Sequence, residues 1–157
     1  MPGIGVTIFF YAKKEYPYSG IVLPSLIIFT CITLLFNTYI FPSVFSLQAP
    51  PKAARYFTEN SGSKDKLFNY RYEQYELFFY SEPQALQINS SEDLKETVGK
   101  KGNWIFTNAD GLKDLQALEY NPDTLIEYKH LYLNKGGQFI NPKTRDKVLQ
   151  PMYLLKY

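Results

Sequence analysis

Hydrophobic and polar positions follow two regimes along this chain. From Tyr18 to Pro51 there is no Asp, Glu, Lys or Arg, although charged residues make up 20% of the whole. Within that stretch Ile21 to Phe41 is dominated by Leu, Ile, Phe and Val, and only Ser25, Thr30, Thr33, Asn37 and Thr38 are polar. A bilayer core needs about 20 helical residues, and this run supplies them. Pro24 is expected in the first turn, where its missing N–H costs little, and Pro42 where the helix stops. Tyr16 and Tyr18 at one end, with Tyr39, Phe41 and Phe45 at the other, fit an aromatic belt at the two membrane interfaces. A buried helix of a soluble protein rarely runs this long without a charge. A signal peptide has a shorter apolar region and a small-residue cleavage site, which nothing after Phe45 supplies.

The residues before the span repeat the apolar character briefly. Ile4 to Ala12 is too short to cross a bilayer. Lys13, Lys14 and Glu15 then make a charged turn within residues 13–20. The segment is the end of a helix that starts before Met1, or a short interfacial anchor. The first reading makes the chain the truncated end of a longer protein. Lys13 and Lys14 in a short loop point to a cytoplasmic turn and an external C-terminal domain. Lys52, Arg55, Lys64 and Lys66 follow the span, but long domains translocate largely regardless of charge. The expected organisation is therefore a membrane part over residues 1–51 and a soluble domain over residues 52–157.

After residue 51 the pattern alternates between helical and extended. "PKAARYFTENSG" reads as a short helix opened by Pro51 and closed by Gly62. In "LFNYRYEQYELFFY", Phe68, Tyr70 and Tyr72 share one strand face, and Tyr75 to Tyr80 reads as a second, central strand. Ser90 with Asp93 marks a helix start and Gly99 its end. "NWIFT" is a short buried strand. "DGLKDLQALEY" is a helix with Asp110 as N-cap and Leu112, Leu115 and Leu118 inward. "TLIEYKHLYL" alternates as a strand, and Gly136-Gly137 suits a hairpin turn into "QFI". Asn141 can cap a short helix with Pro142 at its first position, and "MYLLKY" closes the chain as a strand. Strands alternating with helices predict a small α/β layer domain with a mixed sheet.

Composition narrows the function classes. A formal charge of +2 and no basic cluster beyond Lys100-Lys101 argue against nucleic acid. The one cysteine, Cys31, excludes an internal disulfide, and the one histidine, His130, has no partner at zinc-ligand spacing. No cofactor or metal is expected in this chain. Asp110 and Asp114, four apart on a helix, could make an acid–base pair, though a cap and a solvated face explain them more simply. His130, between Tyr128 and Tyr132, reads as a packed or exposed strand residue. Lys135-Gly136-Gly137 lacks the rest of a phosphate loop. Asn89-Ser90-Ser91 matches a glycosylation acceptor. The many tyrosines could stack on sugar rings, but sheet packing accounts for their spacing. No catalytic residue emerges.

The layout as a whole, a charged turn, a membrane helix, a Pro-containing exit, then "LFNYRYEQYELFFY", "NWIFT" and the tail "QFINPKTRDKVLQPMYLLKY", resembles the C-terminal end of bacterial membrane glycosyltransferases of family 39. These are relatives of dolichyl-phosphate-mannose–protein mannosyltransferase and of the lipid A aminoarabinose transferase. The resemblance covers essentially the whole chain. It implies a GT-C fold in the bacterial inner membrane, multi-pass, with the α/β domain on the periplasmic side. It also implies transfer of a sugar from a polyprenyl-phosphate carrier to a lipid or protein acceptor. The implied partners are membrane lipid, the remaining transmembrane helices of the parent enzyme and the polyprenyl-phosphate sugar donor. The acidic residues of the family's first external loop match no position here, so no catalytic residue is carried over and the chain alone is expected to be inactive. The alternatives are a complete membrane-anchored module that binds a partner or glycan, and an anchored hydrolase using the domain's own carboxylates.

Overall fold

The computed structural model describes residues 19–141 and 143–157. Tyr16, Tyr18, the segment 4–12 and the start of the turn at 13–20 lie outside them, as does Pro142. Contacts divide the chain into two compact units after Ser46, earlier than the boundary expected at residue 51.

The first unit is an apolar helix. Helix α1 covers Ser19–Leu35, a π-turn covers Phe36–Ile40, and α2 covers Phe41–Phe45. Ile21–Phe45 is long and apolar enough to cross a membrane. Pro24 lies inside α1, not at its start. The helix also does not stop at Pro42. Proline has no N–H and its ring collides with the carbonyl four residues back. Here the turn before it widens, and Phe41 N–H reaches Phe36 O, five residues back. That bulge makes room for the ring and the helix continues to Phe45. Five polar side chains bond within the helix, as a hydrocarbon environment favours. Ser25, Thr30, Asn37, Thr38 and Ser43 each donate to the carbonyl four residues back, at 2.6–2.8 Å.

The second unit, Leu47–Tyr157, is an α/β layer domain. Its helices are α3 (Ala49–Asn60), α4 (Glu76–Tyr80), α5 (Ser91–Val98), α6 (Ala109–Ala117) and α7 (Gly136–Ile140). Its strands are β1 (Lys66–Tyr70), β2 (Leu86–Gln87), β3 (Asn103–Asn108), β4 (Thr124–Leu131) and β5 (Leu149–Lys156). The sheet order is β2-β1-β3-β5-β4. β1 pairs in parallel with β2 and β3, and β5 runs antiparallel to both β3 and β4. Two antiparallel steps return β4 to the direction of β1, so the carboxyl ends of β1, β2, β3 and β4 share one edge.

Alternation along β3 builds a core on each face, because successive strand side chains point oppositely. Trp104 and Phe106 pack with Ala49, Ala53, Ala54 and Phe57 of α3, with Leu77 of α4, and with Met152 and Leu154. Alanines at the contact let α3 lie close to the sheet, and the Phe57 and Tyr56 rings stand edge-on to Trp104 at 5.8 and 6.1 Å. Ile105 turns to the other face, among Leu94 and Val98 of α5, Leu115 of α6, Tyr70 and Leu155. Pro50 and Pro51 open α3, where no intrahelical N–H is lost. Ser90 caps α5, its hydroxyl accepting from Asp93 N–H at 3.0 Å.

Five expectations change in the domain. β1 ends at Tyr70, and Tyr72 packs in the core on the opposite face of the sheet from Phe68 and Tyr70. Tyr75–Tyr80 is not a central strand: Glu76–Tyr80 is helix α4. Both edges of β1 are already taken, by β2 and β3, so the sheet has no place beside β1 for that run. A short apolar run does not distinguish a strand from a helical turn. Asp110 is not the N-cap of α6; Asn108 is, its carboxamide accepting from Gly111 N–H at 2.9 Å. Gly136-Gly137 opens helix α7 instead of a hairpin, and "QFI" belongs to that helix. Asn141 Oδ1 accepts from Lys143 N–H in a local turn, and the short helical turn that follows begins at Arg145.

Candidate functional site

In open α/β sheets, ligands gather outside the carboxyl ends of the strands, where the strand order reverses. Here the chain moves from β1 outward to β2, then crosses back to β3 on the other side. The switch point therefore lies between the ends of β1 and β3, at Tyr70-Arg71 and Asn108.

Arg71 has φ 55°, a left-handed conformation that few non-glycine residues adopt. Its carbonyl accepts from Asn108 Nδ2 at 2.8 Å, while Asn108 Oδ1 caps α6 through Gly111 N–H. One carboxamide thus ties the β1 exit to the start of α6. Arg71 Nε reaches Asp114 Oδ2 at 2.6 Å, and the Tyr70 hydroxyl donates to the same oxygen at 2.8 Å. The Arg71 guanidinium also lies 5.6 Å from the Tyr70 ring centre. Asp114 neutralises Arg71, and both side chains are partly exposed, so the constellation is a polar clasp at the surface.

A buried cluster lies on the same edge. His130, at the end of β4, is fully buried and packs edge-on to Tyr72 at 5.8 Å and Tyr132 at 4.6 Å. Its Nδ1 accepts from Ala49 N–H at 3.3 Å, which places any imidazole proton on Nε2, a buried atom with no hydrogen-bond partner among the described residues. Burial lowers the His130 pKa, although nearby Glu76 opposes the shift, so the ring is held neutral. The Tyr72 hydroxyl lies 2.9 Å from Gln74 Oε1 and 3.2 Å from Glu76 Oε2. Burial first, then the charge of Glu76, raise its pKa far above the usual phenol value. Outside this cluster Glu73, Gln74, Tyr75, Glu76, Phe79 and Tyr80 line an open cavity of about 570 Å³.

The sequence candidates are not brought together as a reaction centre. Asp110 pairs with Lys113 at 2.9 Å and Asp114 with Arg71, so these carboxylates serve different partners instead of facing each other. His130 packs instead of presenting a nitrogen to solvent. Asn89 is exposed, while Ser90 is engaged as a helix cap. Tyr39, Phe41 and Phe45 are exposed on the last turns of the apolar helix, and Phe41 is edge-on to Phe36 at 5.7 Å. Among the described residues no three His, Cys, Asp or Glu side chains converge as metal ligands. Arg71 and Asn108 carried one legible sign in the sequence: Asn108 stands directly between a buried strand and the Leu112/Leu115 helical period, the position of an N-cap.

No protein-family model, curated protein or solved structure matches the chain. What the molecule itself defines is a class: an α/β domain joined to a helix long and apolar enough to cross a membrane.

Proposed function

We propose that this chain is the C-terminal portion of an integral-membrane glycosyltransferase that moves a sugar from a polyprenyl-phosphate carrier to a lipid or protein acceptor. The observation that carries the reading is the direct succession of a membrane-length apolar helix and a small α/β domain. The tail with which that domain ends, "FINPKTRDKVLQPMYLLKY", supports it. In such an enzyme the carrier phosphate is already an activated leaving group. The reaction then needs a carboxylate to deprotonate or orient the acceptor, and cations to hold the departing phosphate. Neither role is assigned to a residue here. Asp114 is committed to Arg71 and Tyr70, and Asp110 to Lys113. The catalytic carboxylate belongs to the portion of the parent enzyme outside this chain, and the α/β domain faces the periplasm of a bacterial inner membrane.

The test is the reading frame upstream of the Met1 codon, followed by an assay of its full product with a polyprenyl-phosphate-linked sugar. Several further apolar segments, an acidic external loop and sugar transfer are expected, with no transfer by residues 1–157 alone. A stop codon immediately upstream, or transfer by residues 1–157 alone, overturns the reading.

A further inference from the structure

Three large aromatic side chains stand together on the carboxyl edge of the domain, exposed among the described residues. Tyr75 is 83% exposed, Phe79 82% and Tyr80 52%, and the Phe79 and Tyr80 rings pack edge-on at 5.0 Å. Tyr75 and Phe79 are four apart, so they lie on one side of α4. The opposite side is anchored: Leu77 is fully buried in the core and Phe78 packs against it. A short helix fixed by one face and showing aromatics on the other needs a covering surface.

The domain's own hydrogen bonds say where this face lies. The chain enters the domain at Leu47, whose carbonyl accepts from Leu131 N–H at 2.9 Å. Gln48 Nε2 donates to Leu131 O at 2.9 Å, and Ala49 N–H to His130 Nδ1. His130 packs on Tyr72, whose hydroxyl meets Glu76 at the first turn of α4. The entry point and the aromatic face therefore share the carboxyl edge of the sheet. Only Ser46 lies between Phe45, the end of the apolar helix, and Leu47, a reach of at most about 7 Å.

We infer that the Tyr75/Phe79/Tyr80 face of α4 inserts into the headgroup layer of the bilayer that the apolar helix enters. Tyrosine and phenylalanine suit that layer, which accepts an apolar ring body and a wet hydroxyl together. Glu73 and Glu76 flank the face, and among the described residues no lysine or arginine lines its cavity. The surface is therefore matched to zwitterionic lipid, and anionic lipid repels it. The inference requires the anchored domain alone and does not depend on the transferase reading.

The experiment uses the full chain reconstituted in phosphatidylcholine vesicles. A tryptophan is introduced as Phe79→Trp, or as Leu125→Trp, which is exposed at the opposite edge of the sheet. Trp104 is buried and supplies a common background. Lipid brominated near the headgroup end of its acyl chains is expected to quench most of the added emission of Phe79→Trp and little of that of Leu125→Trp. Aqueous iodide should show the reverse order. Tyr75→Trp repeats the measurement should Phe79→Trp fold poorly. Equal lipid quenching at residues 79 and 125 overturns the inference. So does protection of residue 79 from both quenchers, which would mean that protein covers it.

Discussion

Asn108 holds Arg71 by its backbone: the carboxamide nitrogen donates to the Arg71 carbonyl at 2.8 Å while its oxygen caps α6. A left-handed residue at the end of β1 and a helix start at the end of β3 thereby become one unit. Asn108→Ala removes both bonds and should destabilise the domain by about 1–2 kcal/mol. Asn108→Asp keeps the acceptor for Gly111 N–H and loses only the donor to Arg71, so it should cost less. Urea unfolding of the two variants separates cap from tie, and equal losses would show that the cap contributes nothing.

Gly111 sits where no side chain fits. A Cβ there would lie 1.9 Å from Thr107 Oγ1 and 3.0 Å from the Tyr70 ring. Gly→Ala inside an exposed helix normally stabilises. Gly111→Ala should instead lower stability by roughly 3 kcal/mol, as overpacking does. Adding Thr107→Ala removes the nearest atom, a buried hydroxyl with no hydrogen-bond partner among the described residues. The double variant should therefore recover part of the loss in a thermal melt. A stable single variant would mean that α6 shifts freely against the sheet.

At the amino edge, Asp65 is held below the usual carboxylate range, first by the Gly62 backbone, then by the Trp104 indole, whose Nε1 donates at 3.1 Å. A depressed carboxylate pKa contributes stability that is present above the unfolded value of about 3.9 and is lost as pH falls through the folded value. Asp65→Ala should cost about 2 kcal/mol at pH 7. The gap to the wild type should close in acid below about pH 4. A gap that stays constant with pH would remove the carboxylate charge from the explanation.

His130 also makes the domain sensitive to acid, but in a higher pH range than Asp65. Its folded pKa is lowered by burial, so below about pH 6.5 the unfolded chain takes up a proton that the folded domain refuses. Stability should fall as pH drops through that range, by up to about 1.4 kcal/mol per pH unit. His130→Asn retains an acceptor for Ala49 N–H and should flatten the slope between pH 7 and pH 5.5. An unchanged slope would assign the acid sensitivity elsewhere.

Leu47, Gln48 and Ala49 bond to the end of β4, so the domain begins before the composition shift at residue 52. A chain starting at Leu47 should fold and unfold cooperatively in urea. One starting at Lys52 lacks these bonds and the first turn of α3, and its midpoint should be distinctly lower. Identical midpoints would show that the entry segment contributes nothing to the fold.

The local patterns were sufficient for the apolar span, the α3, α5 and α6 helices and the β1, β3, β4 and β5 strands. Each of those is set by nearby residues: an uncharged run, a capping serine at position 90, or alternation from Leu125 to Leu131. The π-turn before Pro42 was not legible, because it depends on which carbonyl Phe41 N–H reaches. Nor was α4, since "ELFFY" suits a strand or a helix equally until β2 and β3 occupy both sides of β1. The clasp at Arg71, Asn108 and Asp114 joins residues 37 and 43 positions apart in sequence. Strand order alone brings them together, and no periodicity along the chain encodes that order. Sequence determined that this chain has a membrane-length helix and an α/β domain. Tertiary structure decided that the Asp110–Asp114 spacing is not an acid–base pair, that His130 is buried, and that Tyr75 and Phe79 face outward. Burial and pairing depend on neighbours from other strands, and only the assembled sheet supplies them.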